Sequence, residues 1–72
     1  MLKEKRKEKG LTQSQLAENL TISESYMSKL EKHPCLCNPS VNLILKLAKE
    51  LDLTPVKIFL FFVEDKFPTH TN

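Results

Sequence analysis

Residues 11–31, LTQSQLAENLTISESYMSKLE, hold two apolar runs at helical spacing with almost nothing between them. Leu16, Ala17 and Leu20 fall on one helix face, and Met27 and Leu30 form an i, i+3 pair on the next. Each run carries its own start signal. Thr12 is followed by Gln15 at the spacing of a capping box. Ser23 is a good N-cap, and Glu24 puts an acid in the first turn, where the helix dipole favours it. Leu20-Thr21-Ile22-Ser23 is too short for a loop. The two helices must therefore pack directly on each other. Apolar Ile22 fills the angle, and small Ala17 suits the crossing point. A chain built around this block folds as packed helices.

The rest of the chain extends the pattern. The first helix spans about 2–9 and stops at Gly10, a natural C′ residue. The second and third span about 13–20 and 24–31. A loop covers 32–39. Ser40 caps a fourth helix over 41–51, whose core face is Leu43, Ile44, Leu47, Ala48 and Leu51. Thr54-Pro55 is an N-cap followed by proline at the first helical position, so a fifth helix spans 55–63. Strand signals are absent. The predicted class is all-α, a compact five-helix domain over 1–63 with a polar tail at 64–72.

Ser25, Ser28, Lys29 and Lys32 are left pointing outward on the third helix. A second helix held out by a first, with a polar outer face, is the design of a helix-turn-helix that enters a DNA major groove. Base reading then falls to Glu24, Ser25, Ser28 and Lys29 in its N-terminal half. Residues at helix starts aim backbone N–H groups at phosphates, which makes Thr12, Ser23, Asn38 and Ser40 backbone-contact candidates. Tyr26 and Lys32 can reach phosphates through their side chains. Ordinary solvent-facing polar residues with good caps would look the same, so both readings stand here.

The block resembles the lambda-repressor-like helix-turn-helix family, the XRE/Cro-type regulators. The elements that carry the resemblance are Gly10-Leu11-Thr12-Gln13, Leu16-Ala17, Leu20, Ile22-Ser23, Leu30-Glu31, Asn38-Pro39-Ser40, Leu47-Ala48, Leu51 and Ile58-Phe59. It implies four or five helices, with the second and third forming the motif. It also implies that Gln13 contacts a phosphate and braces the first recognition residue. Arg6 and Glu31 resemble the family's basic–acidic pair, a structural link from the first helix to the end of the third. Thr21 stands where the family usually has glycine, and the loop after Glu31 is longer than usual. The function implied is a sequence-specific transcriptional regulator, a repressor by expectation, that binds double-stranded DNA.

Composition sets bounds. Seventy-two residues make one small domain with a marginal core, the kind that gains stability by dimerising. Net charge is only +2, but residues 1–10 carry five basic and two acidic side chains. That run steers phosphates or simply solvates the first helix. The sequence opens in charge without an apolar leader segment, and its longest apolar run, 58–63, is far short of a span, so a cytoplasmic protein with no membrane partner is expected. With one glycine there is no phosphate-cradling loop, and no set of catalytic residues stands out. No enzyme activity, small-molecule substrate or cofactor is implied.

Two features fall outside the motif. His33-Pro34-Cys35-Leu36-Cys37 packs three possible metal ligands together, tighter than the C-x2-C spacing zinc prefers. Loop residues without a role are the simpler reading; a metal- or thiol-responsive switch is the alternative. On the fifth helix, Ile58, Phe59 and Phe62 suit the core. Val56, Leu60 and Val63, with Phe61 at the edge, form a second stripe that a small domain has no core left to bury. A symmetric homodimer through this helix is expected, which would present a palindromic site with half-sites about 34 Å apart. The stripe could instead fold under the tail through Phe67. A protein-interaction module of the same fold, an antitoxin or anti-repressor, is the competing function, supported by Glu24 and the low net charge.

Overall fold

The computed structural model describes residues 1–64; the tail at 65–72, with Phe67 and His70, lies outside the described residues. Five α-helices follow in order: α1 Leu2–Glu8, α2 Gln13–Leu20, α3 Glu24–Lys32, α4 Val41–Leu51 and α5 Pro55–Val63. The boundaries of α2, α4 and α5 fall where their caps place them. Four of the five starts are Thr or Ser, and each side chain accepts from a backbone N–H in the first turn: Thr12 from Gln15, Ser23 from Tyr26, Ser40 from Leu43 and Thr54 from Lys57. At Thr12 the capping box is complete, with Gln15 Oε1 accepting from the Thr12 N–H at 2.9 Å.

Helix α1 ends one residue earlier than expected, because Lys9 serves as its cap and Gly10 takes the left-handed conformation with φ +72°. Helix α3 runs one residue longer, through Lys32. The loop that follows is not wholly irregular; Pro34–Leu36 form a short 3-10 turn started by the fixed φ of Pro34.

The core is a single cluster. Leu2 from α1, Leu16, Ala17 and Leu20 from α2, Met27 and Leu30 from α3, five residues of α4, and Ile58 and Phe62 from α5 meet in it. Ile22 packs against this cluster from the turn between α2 and α3. That turn closes through left-handed Thr21, φ 60° and ψ 41°, with the Ile22 N–H donating to the Ala17 carbonyl. The turn is thus left-handed without a glycine. The turn from α4 to α5 uses the same device at Asp52, φ 59°.

Helix α5 departs from expectation at two phenylalanines. Phe59 was expected in the core and is instead 51% exposed. Phe61 was expected at the edge of the outer stripe and instead packs on the core, its ring edge-on to Phe62 at 5.2 Å. With Ile58 and Phe62 both buried, the inward direction lies between them. At about 100° per residue Phe59 and Phe61 lie roughly 80° to either side of that line, so angle alone does not rank them; Phe61 falls on the side where the core continues, and Phe59 on the side it shares with Val63 and Val56. The outer arc of α5 is therefore Phe59, Val63, Val56 and Leu60, with Lys57 and Glu64 as its only polar strip. Val56 and Leu60 are exposed, and Val63 is half-buried.

Candidate nucleic-acid interface

Helix α3 sorts its residues by angle. Met27 and Leu30 are fully buried and define the inward side. At about 100° per residue, the opposite arc carries Glu24, Ser28, Lys32, Ser25 and Lys29 in that angular order. Glu24, Ser25, Lys29 and Lys32 are exposed and Ser28 is half-buried. The outer face thus has two short hydroxyls and Lys32 in its middle, with an acid at one flank and a lysine at the other. Short side chains at the centre of a helix face let its backbone approach another surface closely.

Behind this face, α3 is fastened to the first two helices. Arg6 Nε donates to Glu31 Oε2 at 2.7 Å, and Arg6 Nη2 donates to Glu31 Oε1 at 3.3 Å. The same Glu31 Oε1 accepts from Gln13 Nε2 at 2.9 Å, while Arg6 Nη1 donates to the Leu11 carbonyl at 2.9 Å. The two charged side chains are 9% and 2% exposed. A carboxylate so buried is tolerable only because every oxygen is met by a donor. Sequence reasoning placed Gln13 toward phosphate; the structure turns one of its amide hydrogens inward to Glu31. An amide nitrogen carries a second hydrogen, so Gln13 sits between the buried pair and the surface.

The expected backbone-contact residues gather around the ends of α2, α3 and α4. Thr12, Ser23 and Ser40 are exposed, and in each the side-chain oxygen is already the acceptor of a cap bond. A hydroxyl accepting in this way still has its own O–H to donate outward. Asn38 is exposed just before α4. Tyr26 is half-buried and lines an open cleft of about 360 Å³ with Leu20, Ile22, Ser40, Asn42, Leu43 and Lys46. Burial pushes its phenol above the ordinary 10.0, and the neighbouring Cys37 sulfur acts in the same direction. Asn42 and Lys46, polar members of this cleft, were missed by sequence reasoning. Their i, i+4 spacing puts them on one side of α4, but only the fold brings that side and Tyr26 into one cleft, together with Leu20 and Ile22.

The possible metal ligands are not brought together. Cys35 is exposed on the 3-10 turn, whereas Cys37 is buried in the core, its thiol donating to the His33 carbonyl at 3.5 Å. Among the described residues no group of three His, Cys, Asp or Glu is placed to hold a metal ion. Also among the described residues, no helix is long and apolar enough to cross a membrane.

Comparison with known proteins agrees with this geometry. A family model described as helix-turn-helix matches residues 2–58. The chain is 38% identical over 53 residues to the HTH-type transcriptional regulator SinR of Bacillus subtilis (strain 168), covering 74% of this chain and 47% of that protein. The regulator of the same name from Bacillus licheniformis matches with the same identity and coverage. The chain therefore spans about half the length of these curated relatives. No solved structure matches it closely. The match covers all of the motif and most of the core around it, and on that ground the chain belongs to the lambda-repressor-like helix-turn-helix family.

Proposed function

We propose that the chain is the DNA-binding part of a cytoplasmic transcriptional regulator, a repressor that acts by occupying its operator. Helix α3 lies in the major groove. Glu24, Ser25, Ser28 and Lys29 meet base edges, while Thr12, Gln13, Ser23, Tyr26, Lys32, Asn38 and Ser40 meet the sugar–phosphate backbone. The observation that carries this reading is the split of α3. Its inner side is fixed to α1 and α2 through Arg6, Glu31 and Gln13. Its outer side is exposed and lined by short or charged polar side chains. The role of the SinR relatives, transcriptional regulation, points the same way.

Two copies act together in this reading. The exposed arc of Val56, Phe59 and Leu60, flanked by half-buried Val63, is the face on which a second copy docks. A twofold pair would present two α3 helices to a palindromic operator. Phe61, expected at this interface from the sequence, packs on the core instead.

The test is selection of bound DNA from a random library, followed by a salt series on the recovered site. Enrichment of a palindrome whose affinity falls steeply with salt is expected. Failure to enrich any sequence at low salt refutes the reading. It would favour a protein-interaction module, for which exposed Glu24 at the start of α3 is the supporting feature.

A further inference from the structure

We propose that α3 reads two G·C base pairs, one through Glu24 and one through Lys29. This rests on the DNA-binding reading above and adds the identity of the bases. Both residues are exposed, at opposite flanks of the outer face, with Ser25 and Ser28 between them. Neither takes part in any of the ion pairs observed among the described residues.

The chemistry of each flank selects its base. A carboxylate carried into a groove between phosphates is repelled unless it meets a donor. The major groove offers two donors, the N4 amino group of cytosine and the N6 amino group of adenine. Adenine N6 stands beside N7, an acceptor that repels a carboxylate on the same base. Cytosine presents its amino group without an acceptor next to it on its own edge. Glu24 therefore accepts from cytosine N4. An ammonium has the reverse preference. Guanine O6 and N7 are two adjacent acceptors, whereas adenine N7 is paired with a donor and thymine O4 with a methyl group. Lys29 therefore donates to guanine.

The spacing follows from the helix. Five residues at about 1.5 Å rise separate the two side chains by about 7.5 Å along α3. The two side chains therefore meet different base pairs of one half-site, and the half-site contains two G·C pairs.

The experiment compares selected binding sites of the wild type, Glu24→Gln and Lys29→Ala, with thermal unfolding to confirm that each variant is folded. The wild type is expected to enrich both G·C pairs. Glu24→Gln is expected to change one of them to A·T, because a glutamine amide matches adenine N6 and N7. Lys29→Ala is expected to lose preference at the other, with affinity for the wild-type site falling about 5- to 150-fold. Replacing the second guanine by 7-deazaguanine removes its N7 acceptor; it should weaken wild-type binding and leave Lys29→Ala unchanged. A selected site with no G·C pair sensitive to either substitution overturns the base assignment while DNA binding stands. A wild type that selects no site at all refutes the DNA-binding reading itself.

Discussion

Replacing Thr21 by glycine should make the protein more stable. Thr21 is a β-branched residue held at φ 60° and ψ 41°, the left-handed region. There the Cβ crowds the following carbonyl, at a cost of roughly 1–2 kcal/mol for an L-residue. Glycine removes that crowding. It also gives the unfolded chain more freedom, which costs about 0.4–1 kcal/mol. Thr21 is exposed, so little packing is lost with its side chain. The midpoints of the two ranges leave a gain of about 0.8 kcal/mol. For a domain of this size each kcal/mol is worth about 4–8 °C, so the melting temperature should rise by about 3–6 °C. Thermal unfolding followed by circular dichroism gives the answer, with denaturant unfolding as a second measure. Asp52→Gly is a comparison at a nearly identical φ of 59°. Aspartate tolerates that region better, and the change also removes the exposed Lys9–Asp52 ion pair at 3.7 Å, so its gain should be smaller. A Thr21→Gly protein that melts at or below the wild-type temperature would show that the turn is not strained, and the reasoning would fail.

Arg6→Ala leaves the Glu31 carboxylate buried without its cation and should cost about 3–5 kcal/mol in denaturant unfolding; a loss under about 1 kcal/mol would mean the pair behaves as a surface contact. Gln13→Ala should weaken DNA binding by a similar factor for every sequence tested, and a loss confined to one base pair would contradict its backbone role. Leu60→Asp places a charge in the exposed arc of α5 and should yield monomers with reduced affinity for a palindromic site; dimers persisting in sedimentation would remove α5 from the interface. Tyr26 is the chain's one tyrosine, so phenolate absorbance reports it alone. Its folded value is raised, so the stability it contributes is complete below the ordinary 10.0 and is lost as pH rises through the folded value. Titration of the folded protein at or below 10 would disprove that assignment.

The fold was legible because its punctuation is local. Thr12, Ser23, Ser40 and Thr54 name the starts of four helices, and each cap bond is made within one turn of its residue. The ends were less certain, since a helix stops through competing bonds at its last carbonyls; Lys9 and Lys32 each moved a boundary by one residue. The site was partly legible. Outward positions on α3 follow from its two core residues. The inward turn of Gln13 does not, because it depends on where Glu31 lies, 18 positions along the chain. Phe59 and Phe61 exchanged places for a related reason. In a helix that is apolar almost all round, periodicity cannot tell the core face from an exposed one. Only what each flank of the helix meets in the fold, core at Phe61 and solvent at Phe59, decides it.

The two thiols, two positions apart, also give the molecule a built-in reference for its own opening. Cys35 lies in solvent, and Cys37 is sealed in the core beside α3. A thiol reagent should therefore meet Cys35 at once and Cys37 only when the segment following α3 comes away from the core. The ratio of the two labelling rates is then a direct measure of that local opening equilibrium, with chain position and reagent held nearly constant between them. Operator DNA that binds only the closed form should slow the second reaction and leave the first untouched. The loop between α3 and α4 thus becomes the place where that opening can be timed.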